Sequence, residues 1–423
     1  MKKLLVHLSV LAAFLMLTVG AYAQDDYAGY IAVIGNDHNV YVYGGAFSEP
    51  YALTQDATPN QRYQFPTWST DGRLAFFCCD LAFSAAPALE VYVASADLTA
   101  AKSLYSTAGE GYTYGAWAPS NCVEGDNCRE LAVLVTRPVG SFKVEIIRQT
   151  SAGVTTKTAA NGAPFYFSWN RDGKRMLWHR DNRSLSVFDS ETGTITDNTA
   201  VTPLLFQAPS WSPVDDRSAV AVSEAGASAS ALTILDADGT TDKVLSAPIE
   251  GLNNFSWSPD GRYIAYRLVS RTELSAVQVY DTETGALVAS SPDNNVVSFF
   301  WSPDSTTLAY ITPDFRGGVS APSAQFVAQT QPNNPISLVW NVLEVETNQA
   351  RSLSRFAPTR SFLYMLSYFD QFNQSHQIWS PDSRHLVYAE VLDNSGGTVT
   401  IIEVETGDTT PLMGGDIAIW SYK

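Results

Sequence analysis

NNFSWSPDGRYIAYRL, residues 253–268, is the stretch that decides the fold. It sets two short runs of aromatic and β-branched residues either side of Ser258-Pro259-Asp260-Gly261, a tetrapeptide in which each residue serves a turn. Proline presets φ, aspartate bonds its own backbone, and glycine takes the positive φ that a Cβ would oppose. Downstream come AVQVYD from Ala276, a second turn Thr282-Glu283-Thr284-Gly285, and ALVASS. Four short strands bounded by turn chemistry make a four-stranded antiparallel meander.

The unit repeats. Trp257 has counterparts at Trp68, Trp117, Trp169, Trp211, Trp301, Trp379 and Trp420, each in or near a similar turn. Successive gaps are 49, 52, 42, 46, 44, 78 and 41 residues, too long for paired-helix repeats and right for four strands plus one insertion. The second strand recurs as LAFFCC from Leu74, LAVLV from Leu131, RMLWH from Arg175, SAVAV from Ser218, TLAYI from Thr307 and HLVYA from His385. Because Asp71, Asp172, Asp260, Asp304 and Asp382 share one place in the repeat, they are expected to form turns rather than to catalyse. Each tryptophan is expected to be a wedge between neighbouring sheets.

The chain ends three residues after Trp420, one strand (DIAIWS) into a unit, while YIAVIG from Tyr30, NVYVYG from Asn39 and PYALT from Pro50 stand unassigned at the other end. Pairing that last strand with the first three would lock a circular array and remove its open edges. The fold class expected is therefore all-β: an eight-bladed β-propeller spanning residues 24–423, closed by one C-terminal and three N-terminal strands. Seven blades is the alternative if the unit at Trp117 or the one at Trp301 is incomplete.

The motif pattern resembles the TolB-like propeller repeats, relatives of WD repeats that also occur in prolyl-oligopeptidase-type peptidases. The resemblance covers residues 30–423 and implies a propeller; the motif is the blade's skeleton and names no activity. Two departures stand out. Few residues separate Gln24 from the first strand, where TolB has a further domain, and no G-x-S-x-G nucleophile elbow of the peptidases occurs.

Lys2 and Lys3, an apolar run from Leu4 to Val19 and Ala21-Tyr22-Ala23 read as a secretory signal cleaved after Ala23, giving a secreted or periplasmic protein with no membrane span thereafter. Its loss takes the formal charge from −17 to −19, since two lysines leave with it. Such an acidic protein repels nucleic acid and anionic lipid, so neither is an expected partner. In an oxidising compartment Cys122 and Cys128 are expected to close a short polar loop as a disulfide worth roughly 2 kcal/mol. Cys78 and Cys79 are adjacent, and both a vicinal disulfide and two free thiols remain open.

Two long loops interrupt the repeat, Thr312 to Pro335 and Ala357 to Ser375, and both should project beside the channel. The second carries Phe362, Tyr364, Tyr368, Phe369 and Phe372 with Asp370, Gln371, Asn373 and Gln374, a composition suited to sugars, peptides or a protein partner. The same aromatics would also suit buried strands. Residues three and four before each tryptophan should line the channel: Gln64, Thr113, Tyr114, Tyr166, Gln207, Asn253, Asn254, Ser298, Ser375, His376 and Asp416. The histidines are scattered, so no metal centre and no cofactor are expected. His376 with Asp416 is the one acid/base pair the register offers. The function expected is a monomeric, exported binding scaffold for a protein, peptide or glycan, with enzymatic activity left open. A lyase or hydrolase acting on extracellular polysaccharide at the channel mouth, or a structural partner in a TolB-like envelope complex, are the alternatives.

Overall fold

In the computed structural model Leu252–Trp257 pairs antiparallel with Tyr263–Val269, with Ser256 opposite Ala265 and Trp257 opposite Ile264. Gln278–Asp281 and Leu287–Ser290 complete the meander. The structure describes residues 27–79, 88–120, 129–137, 140–162, 165–181, 184–203, 207–223, 227–248, 250–269, 275–314, 336–393 and 396–423. Residues 1–23, expected to be a secretory signal, the expected Cys122–Cys128 disulfide and most of the first insertion lie outside them. No helix of the described residues is long and apolar enough to cross a membrane.

The strands form a β-propeller of seven hydrogen-bonded sheets, not the eight expected. The cause is a single strand, Thr409–Trp420, twelve residues long. Its first half pairs with Gly396–Glu403, Ile402 opposite Thr409 and Thr398 opposite Gly414. Its second half pairs with Tyr30–Gly35, Gly35 opposite Gly415 and Ile31 opposite Trp420. Units that the repeat separates at Trp379 and Trp420 therefore share one six-stranded sheet. Seven, the alternative count, is what the hydrogen bonding gives, though for a different reason than a defective unit.

The core lies between sheets. Where the Trp68 and Trp117 sheets meet, Phe77 stacks on Tyr112 with centroids 4.0 Å apart, and a Cβ on Gly115 would come within 2.5 Å of the Phe77 ring. Only glycine admits that approach. The tryptophans do more than fill space. The indole N–H of Trp117 donates to the carbonyl of Thr67, that of Trp169 to Ala116, Trp257 to Ser210, Trp301 to Ser256 and Trp379 to Phe300, at 3.0–3.2 Å. Each acceptor is the residue just before the preceding unit's tryptophan, so the motif ties every such sheet to its predecessor.

The turns are tied as well. Ser305 and Ser383 stand where Gly261 stands in the Trp257 unit, with φ of 64° and 60°, a conformation costing a serine about 1 kcal/mol. Their hydroxyls offset this by accepting from the backbone N–H of Asp260 and Asp304 in the preceding units, at 3.0 and 3.1 Å. The expected turn role of the aspartates also holds: Asp260 and Asp304 accept from the hydroxyls of Ser258 and Ser302. Asp71 has a second task, since its carboxylate meets Arg129 of the next sheet at 2.9 Å. Cys78 and Cys79 are joined by a disulfide.

Candidate functional site

The segment Ala357 to Ser375, expected as an aromatic loop or pair of strands, forms two short helices, α1 (Arg360–Ser367) and α2 (Phe369–Phe372). Thr359 caps α1 by accepting from the Phe362 amide, and its own hydroxyl donates to the carbonyl of Asp416. Phe362, Met365, Leu366, Phe369 and Phe372 fall at helical spacing on one face and are at most 2 % exposed. Phe362 packs on Phe356 and Trp340, Phe369 on Phe299 and Phe300, and Phe372 on Tyr114, Phe65 and His376. Phe65 reaches this cluster from a strand irregularity at φ 44°, a strained setting for a bulky side chain.

Polar groups of the same segment bond the inner strands around it. Gln371 takes both the N–H and the carbonyl of Phe167, Asp370 accepts from the Ala208 amide at 3.0 Å, and Gln374 donates to the Pro209 carbonyl. Thr67 donates to the carbonyl of Ser375 and Ser298 to that of Leu366. The insertion is thus a plug seated in the channel and held by at least five sheets. Phe362, Phe369 and Phe372 are core and cannot form an exposed platform; Tyr364 and Tyr368, in ring contact at 4.9 Å, remain exposed on it.

Burial raises the Asp370 carboxyl, against the opposing pull of the Ala208 amide and the Arg267 charge. Arg267, also buried, is lowered to about 9 and donates to the Val296 carbonyl at 2.7 Å. His376 is enclosed, and burial alone lowers it to about 3, so its imidazole is neutral. Nδ1 meets the Ser375 hydroxyl at 2.8 Å, while Nε2 has no hydrogen-bond partner. Asp416 is engaged elsewhere: Ser361 donates to its carboxylate at the first turn of α1. The acid/base pair that the register offered is not assembled.

Below the plug, toward the Trp-Ser-Pro-Asp turns, the channel opens into a cavity of about 400 Å³. The segment Asn373 to Ile378 forms its floor, and Trp68, Trp117, Trp169, Trp211, Trp257, Trp301 and Trp379 form its wall with Arg171, Tyr422 and the serines Ser69, Ser168, Ser210, Ser212 and Ser256. This volume falls within the range of small-molecule sites. Of the residues expected in a site or along the channel, Tyr114, Asn373, Gln374, Ser375 and His376 reach the cavity; Arg171, Gln377 and the indole edges were not anticipated. Among the described residues no group of three or more His, Cys, Asp or Glu is placed to hold a metal ion.

No family model matches the sequence and no curated protein matches it. Solved structures do match in fold. An oligogalacturonate lyase in complex with manganese aligns over 89% of this chain and 96% of its own, with TM-score 0.52 and 13% identity. The fold is a β-propeller. TolB from Acinetobacter baumannii aligns over 85% of this chain and 81% of its own at TM-score 0.39 and 14% identity. An oligogalacturonate lyase from Vibrio parahaemolyticus aligns over 89% and 97% at TM-score 0.48 and 13% identity. At 13% identity the manganese-bound lyase structure speaks for the architecture alone.

Proposed function

We propose that the protein is an exported binding scaffold that takes a protein segment, peptide or glycan at the tryptophan end of its channel. The observation that carries this reading is the asymmetry of the channel: helices α1 and α2 fill one end with buried aromatics, while the other end keeps a cavity of about 400 Å³ walled by indoles. Pairing of residues 415–420 with 31–35 is inferred to latch the two ends of the chain and keep the wall in register. Export rests on the segment 1–23, and a Cys122–Cys128 disulfide fits the same compartment. Tyr364 and Tyr368 offer a lesser contact at the helical end.

A second reading, catalysis on an extracellular polysaccharide, has in its favour the likeness of fold to an oligogalacturonate lyase. It lacks a paired acid and base, because His376 is held neutral and Asp416 is occupied by Ser361.

The experiment is binding to glycan and peptide arrays by the secreted protein, by Ser256→Trp, which fills the cavity from its wall, and by Tyr364→Ala at the helical end. Ligand lost in Ser256→Trp and kept in Tyr364→Ala supports the reading. The reverse pattern overturns it, and release of unsaturated sugar from a bound polysaccharide would favour the lyase.

A further inference from the structure

The cavity at the tryptophan end has a chemistry narrower than its shape requires. Its wall is built of indoles that are 6–9 % exposed at Trp117, Trp169, Trp211, Trp257 and Trp301, so ring edges rather than whole faces meet the cavity. Between them stand Ser168, Ser210 and Ser256, and the floor adds the amides of Asn373 and Gln377. One charged side chain, Arg171, lines it, and its Nη1 already donates to the Val214 carbonyl at 2.9 Å. Among the described residues no carboxylate lines it.

Three polar groups of this lining have no hydrogen-bond partner although their residues are more than nine-tenths buried: the indole N–H groups of Trp68 and Trp211, and Nε2 of His376. The exceptions are informative. By the rule that binds the other sheets, Trp211 should donate to the carbonyl of Ser168; instead the Ser168 hydroxyl accepts from the Trp211 backbone amide at 3.0 Å, and the indole N–H is left over. A buried donor without a partner costs about 1–3 kcal/mol, a cost that a ligand able to accept from it removes.

The indole bonds also decide which ligand class fits. They occupy the carbonyls of Thr67, Ala116, Ser210, Ser256 and Phe300 on the inner strands that line the channel, the groups an added peptide strand would need. Recognition is left to neutral side chains that both donate and accept, set among aromatic edges. A pyranose ring presents that complement, with hydroxyls around its rim and C–H groups on its faces.

We propose that this cavity binds an uncharged saccharide of one or two pyranose rings, with the Gln377 amide as a polar contact and the Trp211 indole N–H and His376 imidazole, each closed off from solvent in the unliganded wall, becoming contacts as the wall adjusts to the sugar. The proposal rests on the binding-scaffold reading above and gives it a ligand class. A dianionic sugar would meet a single, already engaged guanidinium, and a cationic ligand would meet no carboxylate.

The test is calorimetric titration of the full secreted protein with cellobiose, maltose and N,N′-diacetylchitobiose, alongside digalacturonate and an acetylated tetra-alanine amide. One-to-one binding of at least one uncharged disaccharide is expected, weakened fivefold or more in Trp211→Phe and in Gln377→Ala. Trp340→Phe is the control: its indole N–H is equally unpartnered and buried, but it lies outside the cavity, so affinity should not change. A cooperative melt of Trp211→Phe well above the titration temperature keeps a binding loss from being a folding loss. Binding of none of the three disaccharides, preference for digalacturonate or the peptide, or affinity indifferent to Trp211→Phe would each overturn the proposal. If array ligands of another class are lost in Ser256→Trp, the saccharide assignment falls while the binding face stands.

Discussion

The side-chain amide of Gln371 pairs with the backbone of Phe167, 204 residues away: Oε1 accepts from the Phe167 N–H at 3.2 Å and Nε2 donates to its carbonyl at 2.9 Å. An inner strand whose channel-facing edge would otherwise be open is thus closed by one residue of α2. Both partners are buried, so each bond replaces solvent that has no access there.

Gln371→Leu is expected to destabilise the protein by about 2–4 kcal/mol, since it leaves an N–H and a carbonyl of Phe167 buried without partners. Gln371→Asn, a methylene shorter, should recover little. Denaturant unfolding of the two variants against wild type reads this directly, and a loss under 0.5 kcal/mol would show that the plug is held by its aromatics alone.

The indole belt predicts an inequality between two chemically identical substitutions. Trp257→Phe removes a donor bonded to Ser210 at 3.2 Å; Trp211→Phe removes a donor bonded to nothing. Both lose similar apolar area, so Trp257→Phe should cost about 1 kcal/mol more. Equal losses would mean that the indoles act only as wedges.

Asp71 should separate from its repeat-mates. Burial raises its carboxyl, yet the Ser69 hydroxyl and the guanidiniums of Arg129 and Arg73 pull harder, and it sits below the usual carboxylate range. Arg129 is 3 % exposed. Asp71→Ala is expected to cost about 3–5 kcal/mol because it strands a buried guanidinium, against about 1 kcal/mol for Asp382→Ala, which loses a turn bond to Ser380. Parallel thermal melts of the two variants decide between these values and a uniform turn effect.

Much of this architecture was legible because its signals are local. Ser258-Pro259-Asp260-Gly261 and its copies dictate their turns from four adjacent residues, and the strand flanking each tryptophan follows. The number of sheets was not legible, since it depends on whether the strand ending at Trp420 breaks at Gly414-Gly415 or runs through, which only its partners on either side settle. The insertion was misjudged for a related reason. Phe362, Met365, Leu366, Phe369 and Phe372 do carry helical spacing, but Tyr364 and Tyr368 interleave with them and give the run the look of an aromatic loop. The cavity had no signal of its own: its wall is assembled from strand ends scattered over some three hundred residues, and its vacant indole donors arise at Trp68 and Trp211, where two sheets depart from the bonding rule.

His376 gives the protein an acid sensitivity with a defined sign. Its folded pKa is about 3, below the ordinary 6.5, because burial penalises the imidazolium. As pH falls below 6.5 the unfolded chain takes up a proton that the folded one refuses, so stability present above 6.5 is lost progressively toward pH 3, at up to about 1.4 kcal/mol per pH unit. Asp370 works the other way, since a raised carboxyl adds stability as pH falls, and being common to wild type and variant it drops out of their comparison. His376→Gln, which keeps a hydrogen-bonding group beside Ser375 but carries no proton to gain, should flatten the dependence of unfolding free energy on pH between 6.5 and 4.5. Urea melts of wild type and variant across that interval provide the measurement; parallel curves would mean that His376 takes up its proton in the folded protein as readily as in the unfolded chain.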